Sequence, residues 1–281
     1  MYTVGLSSCG KIISGELFAA YRAAGIGAME VIVSTDVNKE PDWNALAAMA
    51  AKHGVALWSC HLPFSERVRI DDAAFAEDTA ARYAQLIRRA SAVRIKTFVV
   101  HPSSEPIAEE DRAAHLCCAK KHLAALAELA SECGAQLAVE DLPRTCLGRD
   151  SGDMEQLLAA HPALRVCFDT NHLLAEDPVA FIRAMGSRIV TTHISDYDFY
   201  DERHWLPGEG KLDWTAILQA LQSAGYSGPW LYEVGFVRPA SLEGPARDLT
   251  CEDFVRNARE IFALKKPTPC AAAKKDLPRW R

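Results

Sequence analysis

The chain has 281 residues, 49% of them hydrophobic and 24% charged, with a formal net charge of −6. That is enough sequence for one large or two small globular domains, and the balance of apolar to charged residues excludes a disordered chain. An acidic total argues against non-specific nucleic-acid binding, and no run reaches the ~20 apolar residues of a membrane helix.

Two β-branched, apolar runs come first, YTVGL (2–6) and AMEVIV (28–33). NALAAMAAKHG (44–54) then shows helical spacing and stops at Gly54, and VALWSC (55–60) follows as a strand. A helix predicted over 75–91 leads to TFVVH (97–101), and one over 113–134, stopped at Gly134, leads to QLAVE (136–140). RVCFD (165–169) and RIVTTH (188–193) follow, then a helix over 213–225 capped by Asp213 and ended by Gly225, then PWLYEV (229–234). The strands read as continuous apolar runs, as strands covered on both faces do. Eight strands alternating with helices in about 250 residues predict an α/β fold, a (β/α)8 TIM barrel whose parallel eight-stranded barrel is ringed by helices. A doubly wound sheet is the alternative, but neither GxGxxG nor GxxxxGK[ST] is present. The reading is one domain, 1–265, followed by a loose tail, 266–281, rich in Pro, Lys and Ala.

The start, MYTVGLSSCGKIISG, lacks the regions of a signal peptide, and nine cysteines without CxxC spacing read as reduced thiols. Both predict a cytoplasmic protein.

RVCFDTNH (165–172) poses a chemical question: an apolar strand ends in a carboxylate, with an imidazole three residues on. An unpaired buried charge costs several kcal/mol. The other late strands end in the same manner: His61, His101, Glu140, His193 and Glu233 each close one, and His172 follows Asp169. In a barrel these ends share one face. Taken singly, each residue is more often a hydrogen-bonded structural group. Together they form a set of acids and imidazoles that would repel itself unless a cation sat inside. Mixed oxygen and nitrogen ligation suits Mn2+, Zn2+, Co2+, Fe2+ or Mg2+. The long loop 194–214 adds His204, and its Gly208-Glu209-Gly210 would let main chain approach a ligand. Trp58, Phe64 and Trp205 are candidates for an apolar face against a substrate ring. His53, His115, His122 and His161 lie in helical segments away from the mouth.

The set CHLPFS, VVHPSSEP, AVEDLP, CFDTNH, TTHISDYD, RHWLPGEGKLDW and LYEVGF resembles the xylose-isomerase-like, AP-endonuclease-2-type TIM barrels, over about residues 3–265. This superfamily of sugar phosphate isomerase/epimerase type holds sugar isomerases and epimerases, inosose dehydratases, hydroxypyruvate isomerases and endonuclease IV. The resemblance implies metal ligation by Glu140, Asp169, His193 and Glu233, proton handling by Glu140 and Glu233 on opposite faces of a sugar, and substrate contacts from His172 and often His101 or His61, to which the loop reading adds His204. It implies one divalent ion, with Mn2+ preferred. Endonuclease IV binds three zinc ions on the same frame, and here Glu202 stands where that enzyme has Asp. The ketulose 3-epimerases carry a Glu and an Arg where this chain has Cys146 and Phe199.

The expected activity is a metal-dependent sugar isomerase or epimerase, moving a proton next to a carbonyl through a metal-stabilised enediolate. The alternatives are an inosose-type dehydratase on the same site and a zinc phosphodiesterase acting on abasic DNA; a sugar-binding barrel without catalysis is the third. The expected partner is a small sugar or polyol rather than nucleic acid or membrane, and related barrels often pair through their helices, which suggests a homo-oligomer.

Overall fold

The computed structural model describes residues 1–243, 247–275 and 277–278. Eight parallel strands form the barrel: β1 (Val4–Ser7), β2 (Ala28–Ile32), β3 (Ala56–His61), β4 (Thr97–Val100), β5 (Gln136–Glu140), β6 (Arg165–Asp169), β7 (Ile189–His193) and β8 (Trp230–Tyr232). They pair in sequence order from β1 to β7, and β1 also pairs with β8. The seam between β7 and β8 is short: Ile194 N donates to Leu231 O at 2.8 Å and Glu233 N to Ile194 O at 3.2 Å. The fold is therefore the predicted TIM barrel, nearly closed.

Among the described residues eight helices ring it: α1 (Gly15–Ala24), α2 (Trp43–His53), α3 (Ala76–Ala92), α4 (Arg112–Glu132), α5 (Ser151–Leu158), α6 (Pro178–Met185), α7 (Trp214–Ser223) and α8 (Cys251–Phe262). Their ends follow local chemistry. The Asp42 carboxylate accepts from Ala45 N at the start of α2, and Gly54 closes it with φ 66°, a left-handed geometry that favours glycine. Asp213 caps α7 in the same way, through Ala216 N.

The strand period of two sorts the side chains. Outward positions, such as Phe98, Leu137, Val139 and Phe168, pack under the helices in the main core. Val99, Ala138 and Cys167 instead form a separate small cluster with Val190 inside the barrel. Two residues further along the same inward faces come His101, Glu140 and Asp169. Small apolar groups thus fill the lumen, and polar ones occupy its mouth.

Beyond Lys265 the chain crosses the loops of that mouth. β9 (Leu242–Glu243) pairs antiparallel with β10 (Ala272–Ala273). Cys270 N and Ala271 N donate to Glu209 at 3.1 and 3.0 Å, and Arg203 donates to Pro278 O at 3.1 Å.

Candidate metal centre and cavity

Glu140 is the hub of the mouth. Its Oε2 lies 3.0 Å from His61 Nε2 and 3.2 Å from His101 Nε2, and its Oε1 lies 2.9 Å from His193 Nδ1. His193 Nδ1 is also 3.5 Å from Glu233 and 3.7 Å from Asp169. Glu140, Asp169, His193 and Glu233 each offer one ligand atom within 4.8 Å of all the others. Four strand ends far apart in sequence therefore converge on one point.

Asp169 tests whether a cation fits there. Its Oδ1 accepts from Asn171 N at 2.6 Å, and its main-chain N–H is fixed by Asp141 at 2.7 Å. Its Oδ2 is buried with no hydrogen-bond partner. A bare buried carboxylate oxygen is costly, and a cation would satisfy it. The protonation states agree. Burial alone would raise the Glu140 carboxyl, but the imidazoles of His193 and His101 hold it well below the usual range. Burial, with Glu233 and Glu140 nearby, pushes Asp169 well above its range despite His172. Burial disfavours charge on His193, yet the surrounding acids, Glu30, Glu233 and Glu140 among them, keep it protonated well above its ordinary value. Protons do here what a divalent ion would do, and mixed O/N donors suit one.

The remaining imidazoles lie around this point. His61 is buried below the cavity, its Nδ1 on Leu62 O at 2.8 Å. His101, His172 and His204 line the cavity. Phe64 stacks on His101, ring centres 3.8 Å apart. His172 Nε2 meets Glu202 at 3.1 Å, and these two with His204 form a second group able to hold a metal. Trp58 is not in the cavity wall: its indole donates to Thr191 at 3.2 Å. It sits at an irregularity where Met29 pairs with Leu57 and Glu30 with Ser59. Gly208 and Gly210 do come close to other groups, but these are Pro267 and the Asp196–Tyr197 segment of the chain itself. Trp205 is buried in the same loop, and Phe199 is half exposed outside the cavity, whereas Cys146 lines it.

Sequence reading missed two residues. Glu30, on β2, is fully buried; its Oε2 accepts from Ser59 at 2.7 Å and its Oε1 stands 2.9 Å from His193 Nε2. That last contact is an ion-pair approach bent away from hydrogen-bond geometry. The signal was an acid inside the apolar run AMEVIV, the same signal that singled out Asp169. Arg144 lines the cavity and bonds Glu105, Asp201 and Glu202. Nothing in its sequence neighbourhood distinguishes it from a surface arginine.

An uncharacterized protein of Sinorhizobium fredii is 31% identical over 106 residues, 35% of this chain and 34% of that protein. An uncharacterized protein of Methanocaldococcus jannaschii is 27% identical over 114 residues, 38% and 39% of the two chains. The match thus spans little more than a third of these curated relatives. Among solved structures, a D-tagatose 3-epimerase-like protein superposes with a TM-score of 0.80 at 20% identity, covering 94% of this chain and 98% of that one. A D-psicose 3-epimerase determined in the presence of D-fructose gives 0.74 at 20% identity over 94% and 98%. The 3-keto-D-glucoside 4-epimerase of E. coli gives 0.74 at 16% identity over 94% and 100%. At such identities the likeness is one of fold. Residues 18–250 match a family description as a whole, and with the barrel and its strand-end acids in view the chain belongs to the xylose isomerase-like TIM barrel family.

Proposed function

We propose that the protein is a metal-dependent sugar isomerase or epimerase that moves a proton on the carbon beside a carbonyl. One observation carries the reading: two carboxylates, Glu140 and Glu233, meet at His193 Nδ1 beside the unpartnered oxygen of Asp169. Glu140, Asp169, His193 and Glu233 would hold the ion, Mn2+ before Zn2+, Co2+, Mg2+ or Fe2+, and when bound it supplies Lewis-acid polarisation of the substrate carbonyl. Burial would raise Glu233 as it would Glu140, but His193 brings it below its ordinary range as well. Both carboxylates are therefore ionised at neutral pH. One takes the proton from the carbon next to the carbonyl; the other takes up a proton from solvent and delivers it to the opposite face, and the first releases its proton to solvent before the next turnover. His61 and His101 brace Glu140 Oε2 so that the carboxylate does not rotate out of reach. His172 and His204 would orient substrate hydroxyls, and the exposed face of Phe64 suits the C–H side of a sugar.

The test is deuterium exchange from D2O beside the carbonyl of ketoses and keto-inositols, read by NMR. Glu140→Ala and Glu233→Ala should each abolish exchange with the barrel retained, and near-wild-type turnover in either variant overturns the assignment. Loss of a β-hydroxyl after exchange would identify a dehydratase of the inosose type.

The two further ligand groups, His61–Glu140–His193 and His172–Glu202–His204, favour a second reading, a three-zinc phosphodiesterase. The acidic total and the pairing of Glu202 with Arg144 weigh against it. Metal counting separates the two: three tightly held zinc ions per chain support the phosphodiesterase, one exchangeable ion the sugar enzyme.

A further inference from the structure

The cavity above the mouth has a volume of about 830 Å3, ample for a small-molecule ligand. Among the described residues its wall carries five glutamates, two side chains of fixed positive charge, Lys11 and Arg144, and three histidines, of which His172 has both ring nitrogens engaged, on Asp141 O at 2.8 Å and on Glu202 at 3.1 Å. Both cations are engaged. Lys11 Nζ donates to the main-chain carbonyls of Ser7, Cys9 and Val234 at 2.9, 3.1 and 2.9 Å. An ammonium has three N–H groups, so this uses all of them. Arg144 spends its fork on acids. Nε and Nη2 reach Glu105 at 2.9 and 2.6 Å, Nη1 reaches Asp201 at 2.8 Å, and Nη2 also pairs with Glu202.

A barrel has a second device for phosphate, the amide groups and helix starts that follow its last two strands. Among the described residues those that close on a partner are filled from within. The buried Asp196 carboxylate accepts from Tyr197 N at 2.9 Å, Gly208 N at 2.7 Å, Leu212 N at 3.2 Å and the Trp214 indole at 3.0 Å. Asp213 caps α7, and Thr250 with Asp253 closes the start of α8. An incoming dianion would have to displace a carboxylate from Arg144 or from the Asp196 nest, and would then stand beside Glu66, Glu105 and Glu202, the wall glutamates outside the ion's ligand set. A neutral polyol meets no such barrier.

We propose that the site takes an unphosphorylated, neutral polyhydroxy carbonyl compound and rejects the phosphate ester of the same compound. This rests on the sugar reading above and narrows its substrate class. The test uses the full-length, Mn2+-loaded protein and matched pairs: D-fructose with D-fructose 6-phosphate, D-ribulose with D-ribulose 5-phosphate, and a keto-inositol with its phosphate. Binding is followed by calorimetry and proton transfer by deuterium exchange. The expected result is binding or exchange with a neutral member, and a phosphate partner weaker by about 100-fold or more, because like charges forced together in a site are strongly disfavoured. A phosphate ester that binds or exchanges as well as its neutral partner overturns the proposal and leaves the proton-transfer reading standing. If no member of any pair binds or exchanges, the sugar reading itself falls, and this proposal with it.

Discussion

Glu30→Gln is the perturbation that most directly probes how the mouth is organised. Glu30 is fully buried, and its two oxygens are divided between Ser59 and His193 Nε2. A negative charge behind the imidazole favours a proton on Nε2, which turns the Nδ1 lone pair toward Glu140, Asp169 and Glu233. Gln preserves the shape and the Ser59 contact but not the charge. Its amide can also point N–H groups at Nε2 and move the imidazole proton to Nδ1, closing the site to a cation. A buried hydrogen bond to a charged group contributes about 1.5–3 kcal/mol, equivalent to ~10–150-fold in affinity, which is an upper bound for an approach bent away from hydrogen-bond geometry. Carboxylates behind metal-bound histidines typically contribute ~10–100-fold. Mn2+ titration by calorimetry should therefore show affinity falling by about 10–100-fold in Glu30→Gln, with 15N NMR reporting the changed His193 tautomer. Far-UV circular dichroism of the metal-free protein controls for folding. A well-folded variant whose Mn2+ affinity stays within about twofold of wild type would refute the reasoning.

Three more outcomes follow from the same geometry. In the metal-free protein His193 holds a proton that a cation at Nδ1 must displace. Mn2+ affinity should thus rise with pH until His193 is neutral, with proton uptake by the buffer visible when calorimetry is repeated in buffers of different ionisation enthalpy; binding independent of pH would contradict this. Asp196→Ala leaves three amides and an indole without their acceptor at the heart of the 194–213 loop. The cost should be about 3–5 kcal/mol and the Tm should fall by about 10 °C, and a drop of about 2 °C or less would show that water replaces the carboxylate. Burial alone would raise Glu202, but the bond to His172 and the charge of Arg144 hold it at about 2, against an ordinary 4.5. Because the folded value is the lower one, the stabilisation, about 3 kcal/mol, is complete above pH 4.5 and lost as pH falls through about 2. Urea unfolding should show wild type losing about 2 kcal/mol more than Glu202→Gln between about pH 5 and about pH 3; parallel losses would remove Glu202 from the acid response.

No helix among the described residues is long and apolar enough to cross a membrane, and all nine cysteines are free thiols. The first agrees with the lack of a long apolar run in the sequence, and the second with the lack of CxxC spacing.

The acids and imidazoles that meet at the mouth could be picked out before any fold was known, because six strands in a row end in one; singly, none of them would have marked it. Strand alternation, helix caps such as Asp213 and stops such as Gly54 are local events, governed by neighbours in the chain, so eight strands and their order could be read directly. Glu30 carried the same mark as Asp169 and was overlooked because it interrupts its run instead of ending it. Other features depend on partners distant in sequence. Arg144 is a cavity residue only because Glu105, Asp201 and Glu202 arrive from other loops. Trp58 leaves the mouth because the β2–β3 register shifts beside it. Residues 270–273 gain their place from Glu209 and β9, which no period in the segment announces. Covalent neighbours set which residues end each strand, whereas which charges those residues meet is a property of the closed barrel, since electrostatic pairing acts through space and not along the chain.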